Sequence, residues 1–168
     1  DGRTQHRQIM LITLDTASKN EKAVEAAVRL IERKGVLAVV GEVASERTRQ
    51  IAPVAQKNKT PLITPASTNP ALTEIGDYIF RACYIDPFQG FVMAKFAYDH
   101  LKVRRVAILK DYRSSYSGGL AEYFADTFTD LKGEGVSEQT YSTTDIDFYK
   151  GIAEFKKLGP DPVFMPGY

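Results

Sequence analysis

Histidine and cysteine, which often serve as catalytic base and nucleophile, are rare in this sequence. The two histidines are His6, near the N-terminus, and His100, at the end of a predicted helix, and both are predicted to lie on the surface. The only cysteine, Cys83, follows a predicted strand and is expected to be a small buried hydrophobic residue. Nucleophilic catalysis needs a base next to its nucleophile. The sequence therefore predicts a protein that is not an enzyme and that binds no metal and no cofactor.

Two acidic residues have the spacing of a possible metal pair. Asp145 and Asp147 both belong to the stretch "DID". They also stand where a helix is predicted to begin, and an Asp in that position accepts hydrogen bonds from the free N–H groups of the first turn. Helix capping is therefore the interpretation that we favour over metal binding.

Hydroxyl residues, in contrast, collect in the loops. Ser45 directly precedes a helix that is predicted over residues 46–57. Its hydroxyl, together with the first N–H groups of that helix, could hold a carboxylate. The same hydroxyl could instead be an ordinary N-cap, and one residue can do both. Both interpretations stay open at the level of the sequence.

The stretch "PLITPASTNP", residues 61–70, begins as a strand and then breaks into small hydroxyl residues between prolines. Ala66 and Thr68 could present a carbonyl, an N–H group and a hydroxyl, which together would fix an ammonium and a carboxylate. The alternative is an ordinary turn bounded by proline. In the later loop "KDYRSSYSGG", Tyr116 offers a flat apolar wall with a polar tip.

A regular alternation of strands and helices must position these loops. Short apolar runs that alternate with amphipathic stretches are typical of βαβ units with parallel sheet. In such sheets, ligands bind beyond the carboxyl ends of the strands. Strands are predicted at residues 9–14, 36–40, 61–64, 78–80, 103–109, 136–141 and 162–165. Helices are predicted over residues 20–33, 46–57, about 88–101 and about 120–131, and in a region that contains residues 148–155.

The bulk composition makes several classes of partner unfavourable. The 168 residues include 22 basic and 21 acidic side chains, so the net charge is +1. Nucleic acid or an anionic membrane surface usually requires a basic stripe, and the sequence shows none. No apolar run reaches the roughly 20 residues that cross a bilayer.

Five stretches follow one another in an order that resembles a single family. They are "GVLAVVGEVASERTRQIAPVA", "PLITPASTNPALTEIGDYIFR", "DPFQG", "VAILKDYRSSYSGGLAEYF" and "DFYKGIAEFKKLGPDPVFMPGY". The chain resembles the Leu/Ile/Val-type periplasmic binding proteins of ABC transporters from about residue 2 to residue 168. The resemblance implies an α/β fold of type I, with two Rossmann-like lobes of parallel sheet joined by hinge strands. Residues 1–82 would be part of lobe one, and residues 83–168 would be the hinge and the first half of lobe two.

The resemblance also implies a role for particular residues. Ser45 matches the serine that binds the ligand carboxylate, and Ala66 and Thr68 match the pair that grips the amino acid backbone. Tyr116 and Tyr168 match aromatic residues of the second lobe that close over the ligand. The residues that match the floor of the side-chain pocket are Val43 and Ala44.

The implied function is extracytoplasmic binding of a small amino acid, branched-chain or similar, for delivery to an ABC transporter permease. The implied location is the periplasm or the outer face of the membrane, and no nucleic acid partner is implied. The alternative is the ligand-sensing domain of a receptor with the same fold. Glu42 lies next to the pocket floor, where an acid could admit a polar or basic ligand. A Glu that faces solvent is the interpretation that we favour.

Members of this family are about twice as long as the chain, which therefore resembles an internal segment. The first strand of lobe one, which lies between the strands that match residues 9–14 and 36–40, would be missing. Buried N–H and C=O groups without a partner are costly. We therefore expect a strand exchanged between copies, a rearranged pairing or a poorly ordered first lobe. The acid that pairs with the ligand ammonium would follow the last residue, so we expect the segment to bind amino acids weakly or not at all.

Overall fold

The computed structural model of the chain describes residues 3–4, 7–142, 144–145 and 147–167. Two short strands, β1 (Arg3–Thr4) and β2 (Arg7–Gln8), pair antiparallel ahead of the main fold. The first half then contains α1 (Asn20–Val28) with a π-helical continuation (Arg29–Arg33), β3 (Val39–Val40), α2 (Ser45–Lys57), β4 (Leu62–Thr64), a 3₁₀ helix (Pro70–Ile75) and β5 (Ile79–Arg81). The second half contains α3 (Asp86–Lys95) with a π-helical continuation (Phe96–His100), β6 (Arg105–Asp111), α4 (Ser115–Asp130), β7 (Glu134–Tyr141), α5 (Tyr149–Leu158) and β8 (Val163–Phe164). Within the described residues, no helix combines the length and the apolarity needed to cross a membrane.

The first sheet has the strand order β3–β4–β5, and all of its strands are parallel. Its two helices bring their small apolar faces to the same core, as the helical spacing of alanines predicts. Parallel pairing of strands that follow helices confirms the α/β class. The buried residues that form this core are Ala23, Ala27, Ile31, Val39, Ile51, Ala52, Ala55, Leu62 and Ile79.

The predicted end of the first helical segment is confirmed. The helical backbone runs from α1 through the π-helical turn, and the N–H of Lys34 still donates to the carbonyl of Arg29. Gly35 then adopts a left-handed φ of 61°. Glycine has no Cβ to oppose that conformation, so it ends helices readily.

The strand predicted at residues 9–14 is wrong, because this segment forms no regular structure. Three of its apolar side chains, those of Ile9, Met10 and Leu11, are exposed, and Leu11 reaches 87%. The strand predicted at residues 36–40 shortens to β3, and Leu37 is 92% exposed. A strand needs a neighbour for its N–H and C=O groups. Among the described residues, β3 pairs with β4 alone, and residues 9–14 pair with no strand.

The second sheet has the order β7–β6–β8 and is also parallel. The helix α4 covers it with aromatic residues at helical spacing. The Phe124 ring stacks on Phe164 of β8, with centroids 3.9 Å apart, and on Phe128, with centroids 5.6 Å apart. This agrees with the predicted inward face of the helix around residues 120–131.

The helix α3 packs on α4 through small residues rather than through its large apolar ones. Gly90 and Ala94 are buried, and a Cβ at Gly90 would lie 2.7 Å from Tyr123 Cβ. The large side chains that predicted this helix point elsewhere. Helical spacing predicts a face but not whether that face is covered. The large apolar side chains of this helical segment that are exposed are Phe88, Phe91, Val92 and Phe96.

Candidate functional site

The loops that follow β3 and β4 lie side by side at one edge of the first sheet. The two strands are parallel neighbours, with Val40 opposite Ile63. Their carboxyl ends therefore meet, and the N–H of Asn69 donates to the Ser45 hydroxyl at 3.3 Å. Ser45 and Thr68 therefore lie at the same edge of the sheet.

The hydroxyl of Ser45 is fully buried and stands at the start of α2. Ser45 is the first helical residue, and the N-cap position belongs to Ala44. The N-cap interpretation of Ser45 is therefore wrong. The first N–H groups of any α-helix have no partner inside the helix and favour anions. Ser45 adds a hydroxyl to that end of α2.

Three further hydroxyls surround the carbonyl oxygen of Glu42. Thr64 lies 2.6 Å from this oxygen, Ser67 2.9 Å and Thr48 3.1 Å. Thr48 and Ser67 also contact each other at 2.6 Å in the buried interior. This network joins the two loops and holds them in a fixed relation. The sequence pattern does not predict this network, although Ser and Thr are dense around both loops.

Arg81 stabilises the loop that follows β4 through hydrogen bonds to its backbone. Its guanidinium donates to the carbonyls of Asn69 at 2.5 Å, Ser67 at 3.3 Å and Pro70 at 3.4 Å. A planar guanidinium with five N–H donors suits such a cluster of carbonyls. The loop therefore keeps its irregular backbone although it forms neither helix nor strand.

Thr68 has the property expected of a ligand contact. It is 6% exposed, and its hydroxyl has no hydrogen-bond partner among the described residues. Buried polar atoms in folded proteins are nearly always paired, and the Thr68 hydroxyl has only the Asp86 carboxylate nearby, whose pKa it lowers without a hydrogen bond of good geometry. The neighbouring residue Ala66 is exposed at the same edge.

The second half of the chain approaches this edge through the start of α4. Tyr116 accepts a hydrogen bond from Gln89 Nε2 of α3 at 3.3 Å, and Asn69 Nδ2 donates to the Ser115 carbonyl at 3.2 Å. Of the two residues predicted to form the floor of the side-chain pocket, Ala44 is buried and Val43 is exposed. Tyr168, the remaining predicted residue of the site, lies outside the described residues.

The prediction that Glu42 faces solvent is wrong. The Glu42 carboxylate accepts hydrogen bonds from Thr16 at 2.5 Å and from Arg47 Nε at 2.8 Å. Partial burial by itself would raise the pKa of Glu42, but these two partners outweigh it and lower the pKa below its ordinary value. The carboxylate ties the segment before α1 to the first turn of α2.

This arrangement gives stability a dependence on pH. A carboxyl whose pKa is lower in the folded state stabilises the fold above its unfolded pKa, about 4.3 for Glu, and loses that contribution as the pH falls through the folded pKa. We expect Glu42→Gln to flatten the fall in the free energy of unfolding below about pH 5. Urea unfolding at several pH values measures this, with the exposed Glu122→Gln as control. Parallel pH profiles for Glu42→Gln and the unchanged chain would contradict it.

The remaining candidates for chemistry have structural roles. Asp147 accepts from the N–H of Tyr149, the first residue of α5, at 2.9 Å, although the N-cap position belongs to Phe148. Asp145 accepts from the N–H of Ser142 at 2.8 Å and stabilises the turn. Cys83 is half-buried, burial raises its pKa, and its thiol donates to the Ser67 carbonyl at 3.6 Å. His100 stacks on the Phe96 ring, with centroids 5.5 Å apart.

Comparison with known proteins gives a consistent result. A family model described as periplasmic binding protein matches residues 1–167. An amino acid binding protein of Pseudomonas aeruginosa is 32% identical over 99% of this chain and 44% of its own length. A Leu/Ile/Val-binding protein homolog of Brucella melitensis is 30% identical over 99% of this chain and 45% of its own length. The chain thus spans less than half the length of these relatives.

Two solved structures share the fold of this chain. A leucine binding protein, LivK, from Thermotoga maritima is 40% identical, with a TM-score of 0.94 over 99% of this chain and 47% of its own. The branched-chain amino acid transporter substrate binding protein LivJ from Streptococcus pneumoniae, in complex with isoleucine, is 30% identical. Its TM-score is 0.90, over 99% of this chain and 47% of its own. These relatives are solute-binding proteins rather than enzymes, and the chain belongs to the periplasmic binding protein family, with the type I fold in part.

Proposed function

We propose that this chain is the part of an extracytoplasmic binding protein that captures a small amino acid, branched-chain or similar. The observation that carries the proposal is that two buried hydroxyls lie at the same edge of the sheet. Ser45 stands at the start of α2, and the orphan hydroxyl of Thr68 lies beside it, joined through the N–H of Asn69. The likeness to a protein in complex with isoleucine supports this ligand class.

In this proposal the two ends of an amino acid occupy different groups of the site. The carboxylate binds at the Ser45 hydroxyl and the first N–H groups of α2, where the helix dipole favours negative charge. The ammonium binds at the Ala66 carbonyl and the Thr68 hydroxyl, which can accept hydrogen bonds. The aromatic ring of Tyr116 covers the ligand from the second half of the chain.

The proposal extends to the whole protein and its organisation. Residues 1–82 belong to one lobe and residues 83–168 to the hinge and the other lobe, since one parallel sheet lies on each side of this boundary. The whole protein delivers its ligand to an ABC transporter permease from the periplasm or from the outer face of the membrane. Relatives named as amino acid binding proteins support this assignment over a receptor sensor.

Replacement of Thr68 by alanine tests the proposed ligand contact. We expect the unchanged chain to bind isoleucine with a Kd of about 1 mM, which corresponds to about 4 kcal/mol. The loss of a hydrogen bond to a charged group costs about 1.5–3 kcal/mol, so Thr68→Ala should weaken binding at least tenfold. Chemical-shift titration with isoleucine measures both affinities. The exposed Thr129→Ala on α4 is the matched control, and equal affinities in all three proteins would refute the assignment.

We further propose that copies of this chain exchange strands. The segment 9–14 carries exposed apolar residues without strand partners, and β3 leaves its outer edge unpaired within the described residues. An open edge is a template for another strand. We expect sedimentation analysis to show dimers whose fraction rises with concentration, and Leu11→Lys to shift the protein toward monomer. The control Thr13→Lys alters an exposed polar residue of the same segment. A monomer at all concentrations would contradict strand exchange.

A further inference from the structure

The buried side-chain atoms that lack hydrogen-bond partners are concentrated in one part of the molecule. Among the described residues, these atoms are the hydroxyls of Thr68 and Ser115 and both carboxylate oxygens of Asp86. Asp86 is completely buried. It is the first residue of α3 and lies next to the proposed ligand contact, Thr68.

Several contacts place the Asp86 carboxylate between the two halves of the chain. The N–H of Asp86 donates to the Thr68 carbonyl at 3.0 Å. A Cβ built at Gly119 of α4 would lie 3.4 Å from Asp86 Oδ2 and 3.6 Å from Asn69 Nδ2. The carboxylate therefore lies behind Thr68, at the junction of the loop after β4 with α3 and α4.

Helix capping does not account for this acid. An Asp in the first turn of a helix commonly accepts hydrogen bonds from free N–H groups. In α3, however, the N–H groups of Phe88 and Gln89 both donate to the Ile85 carbonyl, at 3.0 and 3.2 Å. Neither oxygen of Asp86 has a backbone donor.

A structural ion pair does not account for it either. Arg81 is the nearby cation that acts on Asp86, but its hydrogen bonds go to backbone carbonyls and to Thr73. Burial raises the pKa of Asp86, and the Thr68 hydroxyl and Arg81 oppose that rise. The hydroxyl and the carboxylate are close but do not meet in hydrogen-bond geometry. A buried carboxylate that no cation pairs with is unfavourable until a positive group arrives.

We propose that Asp86 is the positioning residue that makes the site select ligands with an ammonium group. The proposal rests on the proposed function, because the ammonium belongs to the amino acid held at Thr68. A hydroxyl has one hydrogen and two lone pairs. When the ligand binds, Thr68 donates its hydrogen to Asp86 and accepts a hydrogen bond from the ammonium. Asp86 also contributes a negative charge behind that contact, in a region from which water is excluded.

The test compares isoleucine with 3-methylpentanoate, which is the same carbon skeleton without the ammonium. Both Kd values are measured by chemical-shift titration of the 168-residue chain and of Asp86→Asn. We expect the unchanged chain to prefer isoleucine at least tenfold. We expect Asp86→Asn to lose about tenfold in affinity for isoleucine and to keep its affinity for 3-methylpentanoate. The exposed Asp77→Asn is the control and should match the unchanged chain.

The other outcomes separate this inference from the proposed function. If Asp86→Asn weakens both ligands equally, the residue has a purely structural role and the inference is overturned. If it retains full preference for isoleucine, the inference is overturned while the proposed function stands. If the unchanged chain binds no isoleucine, the proposed function fails and this inference fails with it.

A second measurement needs no variant and so does not depend on the folding of Asp86→Asn. The ¹³C signal of the Asp86 carboxyl reports its titration in the unchanged chain. We expect this group to titrate at lower pH with isoleucine bound than with 3-methylpentanoate bound, because a nearby ammonium favours the charged carboxylate. Identical titration with both ligands would overturn the inference.

Discussion

Replacement of Gly90 by valine is expected to separate α3 from α4 and to destabilise the second half of the chain. A Cβ at this position would lie 2.7 Å from Tyr123 Cβ and 2.8 Å from the Phe124 backbone nitrogen. The backbone of a helix cannot move aside as a flexible side chain can. Overpacking of this kind costs about 1–3 kcal/mol, and the contact with backbone places Gly90→Val at the upper end of that range or beyond it.

Thermal unfolding followed by circular dichroism measures this effect. A loss of about 3 kcal/mol corresponds to a fall in Tm of roughly 6–12 °C for a chain of this length. Gly118→Ala is the matched control, since Gly118 lies in α4 and a Cβ there meets no atom within 4 Å. Alanine favours helix over glycine by about 1 kcal/mol, so the control should be neutral or slightly stabilising. Equal Tm values for the two variants would contradict the described packing of α3 on α4.

Replacement of Phe124 by alanine is expected to cost about 3–5 kcal/mol of stability. The Phe124 ring is 1% exposed, and it stacks on Phe164 of β8 and on Phe128 of α4. Its removal leaves a cavity between the helix and the sheet, because the surrounding side chains collapse only in part. The loss should appear as a lower urea midpoint with an unchanged dependence on urea.

Tyr149→Ala is the control for that experiment. Like Phe124, Tyr149 is a large aromatic residue in a helix. It lies at the start of α5, however, and is 83% exposed. Substitutions of such exposed residues usually stay within about 0.5 kcal/mol. If both variants unfold at the same urea concentration, the second core does not depend on the aromatic stack.

The sequence predicts the fold well where local pattern and tertiary contact agree. The alternation of strands and helices identifies parallel sheet, and the helical spacing of alanines identifies the face of α1 that is buried. It fails at residues 9–14, because an apolar run becomes a strand only beside another strand. It also fails on α3, where Phe88 and its neighbours are exposed and Gly90 makes the contact. Hydrophobic periodicity does not show which face meets another element.

The candidate site is predictable in outline for a similar reason. The carboxyl ends of parallel strands meet at one edge, so Ser45 and Thr68 can be placed together from their loops alone. The supporting residues cannot be found in this way. Thr48 and Ser67 contact each other although they are 19 positions apart in the sequence. Asp86, at the start of α3, reaches Thr68 through a backbone hydrogen bond that no sequence pattern predicts. Only the folded chain brings such residues together.

The most direct test of the proposed amino acid site is a map of amide shifts in the ¹⁵N-labelled chain during titration with isoleucine. We expect the largest saturable shifts at Ser45, at residues 66–69 and at Tyr116, with a common Kd. Shifts confined to the separate cavity between β7 and α5, lined by Gln139, Asp145 and Phe148 among others, would place the ligand elsewhere and contradict the account.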